Sequence, residues 1–360
     1  MQPFRADLPV AGRRVLVVGG GSTAMPYVAG LRDSGAEITV IAPAFTDTLE
    51  DLAQRGHIAA FRRPVTGADI AEAWLVVACS ESTDVNEQVR RLAEDAKTWC
   101  IGPSHSATES GRTSTGRGRV VLVGGGPGDP GLLTVSGMDA IRRADVVVVD
   151  RLAPVAVLSA APPHAEIVDV AKIPRGSHTP QDVINKTLIS QAQQGKYVVR
   201  LKGGDNFVFG RGGEEWQACA EAGVAVEVIP GVTSSIAVPA LAGIPVTHRT
   251  LTQGFSVVSG HVHPDAPGCH LDWPSLARTN TTLVVLMGLA NLAAIAEKLV
   301  ASGMAGTTPA ATIADGGMPT ERVVRGQLST IAAAVETAGL HAPVVTVIGA
   351  VAAFDPAVRR

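Results

Sequence analysis

The sequence has few cysteines, and their arrangement excludes two classes of protein. The four cysteines show no paired spacing of the kind that binds zinc or builds a disulfide framework. They are Cys79, Cys100, Cys219 and Cys269. We therefore expect a protein of the reducing cytoplasm that contains no metal.

Long apolar runs are also missing. The longest uncharged stretch of interest, residues 228–248, is interrupted by Pro230, Pro239 and Pro245, so it predicts a loop, a buried helix and a turn rather than a membrane span. The N-terminal residues carry charges and lack the continuous apolar segment of a secretory signal. We expect neither export nor membrane insertion.

The sequence has no excess of positive charge. Its formal net charge is -3, which gives no reason to expect nucleic acid as the main partner. An anionic ligand would have to be bound by a local cluster of basic residues.

The chain does contain repeated alternation of strand-like and helix-like segments. Residues 14–102 alternate in this way, which predicts βαβ units and a parallel sheet. A Ser-, Thr- and Gly-rich stretch then precedes a second series of strands and helices. We predict an α/β protein with a Rossmann-like domain at 1–112, a linker at 113–118, and two α/β lobes at 119–232 and 233–360.

The first strand runs into a glycine loop, VLVVGGGSTA. Gly19, Gly21 and Ala24 fit the dinucleotide-binding pattern in its proper context, which predicts NAD contacts at Gly19, Gly21, Ser22 and Thr23. The acidic residue expected at the end of the second strand is absent, however, and Pro26 falls where the helix should begin. A Rossmann domain that serves only as structure remains the alternative.

A second glycine loop, GGGPGDPG, begins the later half. Pro127 removes an amide donor and Asp129 adds negative charge, so this loop is unsuited to phosphate. It suits a positively charged ligand with hydroxyl groups, or else Asp129 and Pro130 start the next helix.

Taken in order, the motifs GGGPGDPGLLT, VVVVDRL, RLKGGDNFVFGRGGEE and AGIPVTHR resemble those of the uroporphyrinogen-III C-methyltransferases of the tetrapyrrole methylase family. The resemblance covers residues 117–355, and the first domain resembles the N-terminal module of siroheme synthases. It implies a two-lobed methylase unit that transfers methyl groups from S-adenosylmethionine to carbons 2 and 7 of uroporphyrinogen III, giving precorrin-2.

The resemblance also implies roles for individual residues. Asp150 matches the family's proton acceptor, and Lys172 matches the proton donor, although Ala171 replaces the usual glycine before it. Met287 taken alone would be an ordinary core methionine. The positions that match cofactor contacts are Pro127, Gly203, Gly204, Asp205, Val208, Thr233, Ser234, Met287 and Gly316.

The implied substrate is rich in carboxylates, so basic residues near the motifs are expected to bind it. They are Arg151, Arg175, Arg200, Lys202, Arg211, His248 and Arg249, with His261 of the SGH motif as a further cleft residue. His261, His263, Cys269 and His270 are close in sequence. We expect no metal there, because ligands so crowded on one loop rarely reach one ion and methyl transfer needs none.

The first domain departs from the siroheme synthase pattern. Ser104 stands where the catalytic aspartate is expected, and serine is no carboxylate base near neutral pH. We therefore predict that NAD-dependent dehydrogenase and iron chelatase activities are lost or very weak. The alternatives are a trifunctional enzyme, a noncatalytic first domain for oligomerisation or sensing, and a different tetrapyrrole acceptor. The family also implies a homodimer.

Overall fold

The computed structural model describes residues 8–102, 118–170 and 180–354. These residues form three five-stranded sheets in two compact units. The first unit combines the described residues up to Gly125 with Leu133–Gly231, and the second combines Gly126–Leu132 with the described residues from Val232 onward. The α/β class is confirmed, while the bounds of the four segments given above stay predictions.

The first sheet is entirely parallel, with strand order β3-β2-β1-β4-β5. Apolar β-branched residues fill its central strands, which are buried on both faces as a helix-covered parallel sheet requires. The strands are β1 Arg14–Val18, β2 Glu37–Ala42, β3 Ala59–Arg62, β4 Leu75–Ala78 and β5 Trp99–Ile101. The helices are α1 Met25–Asp33, α2 Asp47–Gln54, α3 Gly67–Ala71 and α4 Thr83–Asp95.

The second sheet lies in the same unit and is also parallel, with order β10-β6-β9-β7-β8. Its strands are β6 Arg119–Gly124, β7 Val146–Val149, β8 Glu166–Asp169, β9 Tyr197–Lys202 and β10 Ala225–Ile229. Its helices are α5 Val135–Arg142, α6 Gln181–Gln193 and α7 Gly212–Glu221. All five strands therefore present their carboxyl ends at one edge, where open α/β sheets bind ligands.

The third sheet belongs to the second unit and is mixed, with order β11-β12-β15-β13-β14. Only β11 and β12 pair in parallel. The strands are β11 Phe255–Ser259, β12 Thr282–Leu286, β13 Pro309–Ala314, β14 Arg322–Gln327 and β15 Val344–Ile348. The helices are α8 Ser234–Leu241, α9 Trp273–Arg278, α10 Leu292–Ala301 and α11 Ile331–Thr337.

A single hydrophobic core joins the two parallel sheets of the first unit. Val28 and Ala29 of α1 are fully buried in the same cluster as Val155 and Leu158, which belong to a short 3₁₀ helix at Val155–Ala160. The contact is close because Gly30 has no side chain to separate α1 from Ser159. Among the described helices, none is both long and apolar enough to cross a bilayer.

Candidate active site

Asp150 lies where β7 ends, at the carboxyl edge of the second sheet. Its Oδ2 accepts a hydrogen bond from Nη2 of Arg200 at 3.2 Å, and its Oδ1 accepts one from the backbone N–H of Leu152 at 3.2 Å. A quarter of the Asp150 side chain is exposed, whereas Arg200 is almost fully buried. Asp150 is therefore a fixed carboxylate at the surface with a buried cation behind it.

Behind Asp150, three charged side chains form a buried network. Nε of Arg200 donates to Oε1 of Glu215 at 3.1 Å, and Nζ of Lys202 donates to Oε2 of Glu215 at 2.9 Å. Gln181 adds a hydrogen bond to Oε1 of Glu215 at 3.2 Å. Burial lowers the pKa of Lys202, and the neighbouring Arg200 lowers this pKa further. Two buried cations face two carboxylates, so the local charges balance.

This network corrects the expectation that Arg200 and Lys202 bind substrate carboxylates. Arg200 and Lys202 are two positions apart in β9, so their side chains lie on the same face of the sheet. Both side chains are only 3% exposed, and both are bound to Glu215. Glu215 was missed by the sequence analysis. Two basic residues two positions apart on a buried strand indicate a buried acidic partner. The sequence does not show whether that partner is Glu214 or Glu215.

The turns that follow β6, β9 and β10 pack backbone against backbone. A Cβ at Gly124 would lie 2.4 Å from the backbone N of Gly231, and a Cβ at Gly231 would lie 2.3 Å from the carbonyl O of Gly204. Gly204 itself has a φ of +67°, which favours glycine. A Cβ at Gly203 would lie 2.5 Å from the carbonyl O of Leu152, so the turn after β9 packs closely against the turn that begins with Asp150.

Asp205 and Asn206 hold this glycine turn in place. Oδ1 of Asp205 accepts from the N–H groups of Phe207 and Val208 at 2.9 and 3.3 Å, and its Oδ2 accepts from Gly231 N–H at 3.2 Å. Nδ2 of the fully buried Asn206 donates to the carbonyl O atoms of Leu122 and Ile229 at 3.3 and 2.8 Å. Asn206 thus stabilises the ends of two strands, while Val208 remains partly exposed.

In the second unit, three predicted residues follow strands that end at one edge of the third sheet. His261, Met287 and Gly316 come shortly after β11, β12 and β13, respectively. The register pairs Ser259 with Leu286, Leu286 with Val345, and Val344 with Ala314, so these three strands end side by side. A Cβ at Gly260 would lie 2.6 Å from Cα of Gly288, so the first two turns are in close contact.

The backbone of this edge is unusual at two non-glycine residues. Met287 has a φ of +57° and Asp315 a φ of +53°, both in the left-handed region. Such conformations cluster at functional sites because they cost free energy that packing alone rarely justifies. Nearly half of Met287 is exposed, so it is no core methionine.

Pro127, Thr233 and Ser234 also belong to the second unit. A Cβ at Gly317 would lie 3.5 Å from Cγ of Pro127, and one at Gly316 would lie 2.4 Å from Cγ1 of Val238 in α8. Ser234 is the first residue of α8, and the hydroxyl of Thr233 caps this helix by accepting from Ser235 N–H at 3.4 Å. The Gly316 turn therefore lies against both Pro127 and α8.

Asp129 of the second glycine loop forms a local contact. Its Oδ1 accepts from the N–H of Gly131 at 2.7 Å, at the start of the 3₁₀ helix Pro130–Leu132. The sequence left two roles open for Asp129, and this contact corresponds to the one at the start of a helix. The helix α5 is capped separately by Thr134.

The remaining basic candidates lie at separate places. Arg151 binds Asp51 of α2 at 3.0 Å and is 11% exposed. Arg211, which precedes α7, is half exposed and paired with Glu214 of that helix. The ring of His248 packs against Phe354, and the exposed Arg249 follows it in a turn that precedes β11, whereas His261 comes after β11. Lys172 and Arg175 lie outside the described residues.

The first glycine loop packs closely against neighbouring residues. A Cβ at Gly20 would lie 1.9 Å from the carbonyl O of Ala44, and one at Gly21 would lie 2.4 Å from the Oε1 of Glu81. The next residues, Ser22–Ala24, contact β8 of the second sheet. Pro26 lies in the first turn of α1, where proline is tolerated, so the concern about this residue was wrong.

Two features of this loop differ from the usual dinucleotide-binding loop. A pyrophosphate needs positive potential at the loop, but the carboxylate of Glu81 is beside Gly21. At the end of β2, Ile41, Ala42 and Pro43 offer no acid to a ribose hydroxyl. No cluster of three or more His, Cys, Asp or Glu side chains that could bind a metal occurs within residues 8–102, 118–170 and 180–354.

Comparisons with known proteins identify two families along the chain. The sequence profile of the tetrapyrrole (corrin/porphyrin) methylases matches residues 119–332, and that of an NAD(P)-binding family matches residues 8–104. The S-adenosyl-L-methionine-dependent uroporphyrinogen III methyltransferase of Methanosarcina barkeri is 47% identical over 64% of this chain and 91% of its own. The siroheme synthase of Neisseria meningitidis serogroup C is 34% identical over 97% of this chain and 92% of its own.

Among solved structures, the chain is similar to uroporphyrin-III C-methyl transferase from Thermus thermophilus in complex with S-adenosylhomocysteine. The two are 40% identical, with a TM-score of 0.56, over 65% of this chain and 98% of the Thermus chain.

Proposed function

Because the chain belongs to the tetrapyrrole methylase family, we propose that it transfers methyl groups from S-adenosylmethionine to carbons 2 and 7 of uroporphyrinogen III, giving precorrin-2. The observation that carries this proposal is the fixed carboxylate of Asp150 beside the Gly203–Gly204 turn, at the carboxyl edge of a parallel sheet. The names of the Methanosarcina and Thermus relatives support the same acceptor and donor.

The residues present fit S-adenosylmethionine. Gly203 and Gly204 remain our predicted backbone contacts for the cofactor, and Asp205 holds their turn in place through hydrogen bonds from Phe207 and Gly231 N–H. In the second unit, Met287, which is nearly half exposed, and Gly316 remain our predicted cofactor contacts. The bound sulfonium supplies an electrophilic methyl group, so the protein's main tasks are alignment and the handling of a proton.

Asp150 is the group that accepts the proton lost by the methylated macrocycle. It is partly exposed, and Arg200 and the N–H of Leu152 fix its two oxygens. Lys172 remains our predicted proton donor. Arg211, His248, Arg249 and His261 remain the candidates for the substrate carboxylates, with Arg211 needing to exchange Glu214 for substrate.

One reaction tests this function. The purified chain is incubated with uroporphyrinogen III and S-adenosylmethionine, and the tetrapyrrole product is identified by mass spectrometry. We expect a doubly methylated product and one S-adenosylhomocysteine for each methyl transferred. An unchanged tetrapyrrole mass would contradict the proposal.

The first domain, we propose, neither oxidises precorrin-2 with NAD nor inserts iron. Support comes from Glu81 at the glycine loop, the apolar end of β2 and the contact of Ser22–Ala24 with β8. Ser104, which replaces the expected acid, lies outside the described residues. When NAD is added to the reaction above, NADH should form no faster than without protein, and a substantial rate would restore the trifunctional alternative.

We also propose that the enzyme acts as a homodimer in the cytoplasm. The four free cysteines support a reducing compartment. Sedimentation of the purified chain tests the dimer, since a single monomeric species at micromolar concentration would contradict it.

A further inference from the structure

The first domain contacts the methylase sheet close to Asp150. Oδ1 of Asp51, in α2, accepts a hydrogen bond from Nη1 of Arg151 at 3.0 Å. Nearby, the N–H and hydroxyl of Thr48 donate to Oδ2 and Oδ1 of Asp169 at 3.2 and 2.9 Å. Asp169 ends β8, and Arg151 follows β7, so α2 is bound to two neighbouring loops at the edge where Asp150 lies.

The Asp51–Arg151 pair is largely buried. The two side chains are 12% and 11% exposed, respectively, which separates this pair from most surface ion pairs of the chain. A buried pair of this kind loses much more when one partner is removed than an exposed pair does, because the other charge is left without a partner away from water. Asp51 therefore strongly determines where Arg151 lies.

The position of Arg151 is transmitted to the candidate site through its two neighbours in sequence. Asp150 precedes it and is bound to Arg200, and Leu152 follows it and donates its N–H to Asp150. The carbonyl of Leu152 lies against Gly203, where a Cβ would be only 2.5 Å away. The turn Asp150–Leu152 thus contains the proposed proton acceptor and contacts the glycine turn at Gly203.

We propose that Asp51 is a positioning residue for methyl transfer. By binding Arg151, Asp51 fixes the turn Asp150–Leu152. The first domain therefore contributes to methyl transfer even though it catalyses no reaction itself. This inference rests on the proposed function. It also reassigns Arg151, which the family resemblance places among the substrate ligands, to the contact between domains.

The test uses the full chain with Asp51→Asn, which removes the charge and keeps the side-chain volume. We expect kcat to fall about tenfold with little change in the KM for uroporphyrinogen III, as for a group that aligns reacting atoms. The matched control is Glu50→Gln, the adjacent acid of α2, which pairs with Arg62 inside the first domain. This control should keep both constants. Equal kcat values for the two variants would overturn the proposal.

A double-mutant cycle tests the route through Arg151. Because Asp51 acts through Arg151, the double variant with Asp51→Asn and Arg151→Gln should be no slower than Arg151→Gln alone. Effects that multiply would overturn the proposal, and so would an Arg151→Gln variant that raises only KM, since this arginine would then bind substrate. If Asp51→Asn fails to fold, Asp51→Glu keeps the charge, and its kcat should lie near that of the unsubstituted chain.

Binding of S-adenosylhomocysteine, measured by calorimetry, distinguishes a failure of the positioning role from a failure of the proposed function. If the unsubstituted chain binds it but methylates no uroporphyrinogen III, the proposed function fails. The positioning role is then judged from the dissociation constants. Asp51→Asn should bind about threefold more weakly than Glu50→Gln, because the turn Asp150–Leu152 supports Gly203. Equal dissociation constants would contradict the role.

Discussion

The two parallel sheets of the first unit look alike at their glycine loops but differ in what surrounds these loops. In the first sheet, the neighbours of Gly20 and Gly21 are the Ala44 carbonyl and the Glu81 carboxylate. In the second, Gly124 faces the glycines of two further turns, and a fixed carboxylate with a buried cation lies at the same edge. A glycine loop after a strand thus indicates close backbone packing. Whether a ligand can bind at the loop depends on the residues of the neighbouring loops.

The largest expected effect concerns the buried charges of Arg200, Lys202 and Glu215 in the second sheet. Glu215→Gln should destabilise the protein by about 3–5 kcal/mol, because Arg200 and Lys202 would keep their buried positive charges with one carboxylate fewer. Urea denaturation measures this change. The control Glu72→Gln removes the exposed pair with Arg14 in the first domain and should change stability by less than about 1 kcal/mol. Similar losses of stability in Glu215→Gln and Glu72→Gln would contradict this difference between the two sheets.

The next effect concerns Asp150. Asp150→Asn should lower kcat about a hundredfold or more, because an amide accepts no proton at neutral pH. Steady-state kinetics measure the loss, while calorimetry should show S-adenosylhomocysteine binding within about twofold of the unsubstituted chain. Asp145, beside the opposite end of β7, accepts from Tyr197 N–H, and Asp145→Asn is the matched control that should leave kcat unchanged. A normal kcat for Asp150→Asn would exclude it as the proton acceptor.

A matched pair of glycine substitutions compares the two loops directly. Both Gly20→Ala and Gly203→Ala place a Cβ within 2.5 Å of a backbone carbonyl oxygen, so each should cost about 1–3 kcal/mol of stability. Only Gly203→Ala should also weaken S-adenosylhomocysteine binding, by about tenfold. Calorimetry and thermal unfolding of both variants measure this. If Gly20→Ala weakens binding as much, the loops are not functionally distinct.

The smallest effect is a pH dependence at the first loop. Burial raises the pKa of Cys79, whose carbonyl faces Gly19, to about 12. A thiol whose pKa is higher in the folded state stabilises fully below the pKa of the unfolded chain, near 9, and loses that contribution as the pH rises toward 12. Stability should therefore fall above about pH 9, by at most about 1.4 kcal/mol per pH unit from this group. Cys79→Ala should flatten this fall in alkaline urea denaturation, and an unchanged slope would refute the assignment.

The sequence was sufficient to predict the fold class and the order of the elements, because apolar β-branched runs and glycine turns mark the parallel strands clearly. It also predicted that Asp150 follows a buried strand and that Gly203, Gly204 and Asp205 form a turn. It misplaced Arg200 and Lys202, since a positive charge beside a motif looks the same whether it meets substrate or a buried Glu215. The partner of Arg151 could not be predicted either, because Asp51 is 100 residues away and in another domain.

The most direct test of this account is a parallel calorimetric titration of the full chain with S-adenosylhomocysteine and with NAD. We predict that S-adenosylhomocysteine binds at one site per chain and that NAD gives no binding heat at the same concentrations. Saturable binding of NAD without binding of S-adenosylhomocysteine would contradict the assignment of the two loops.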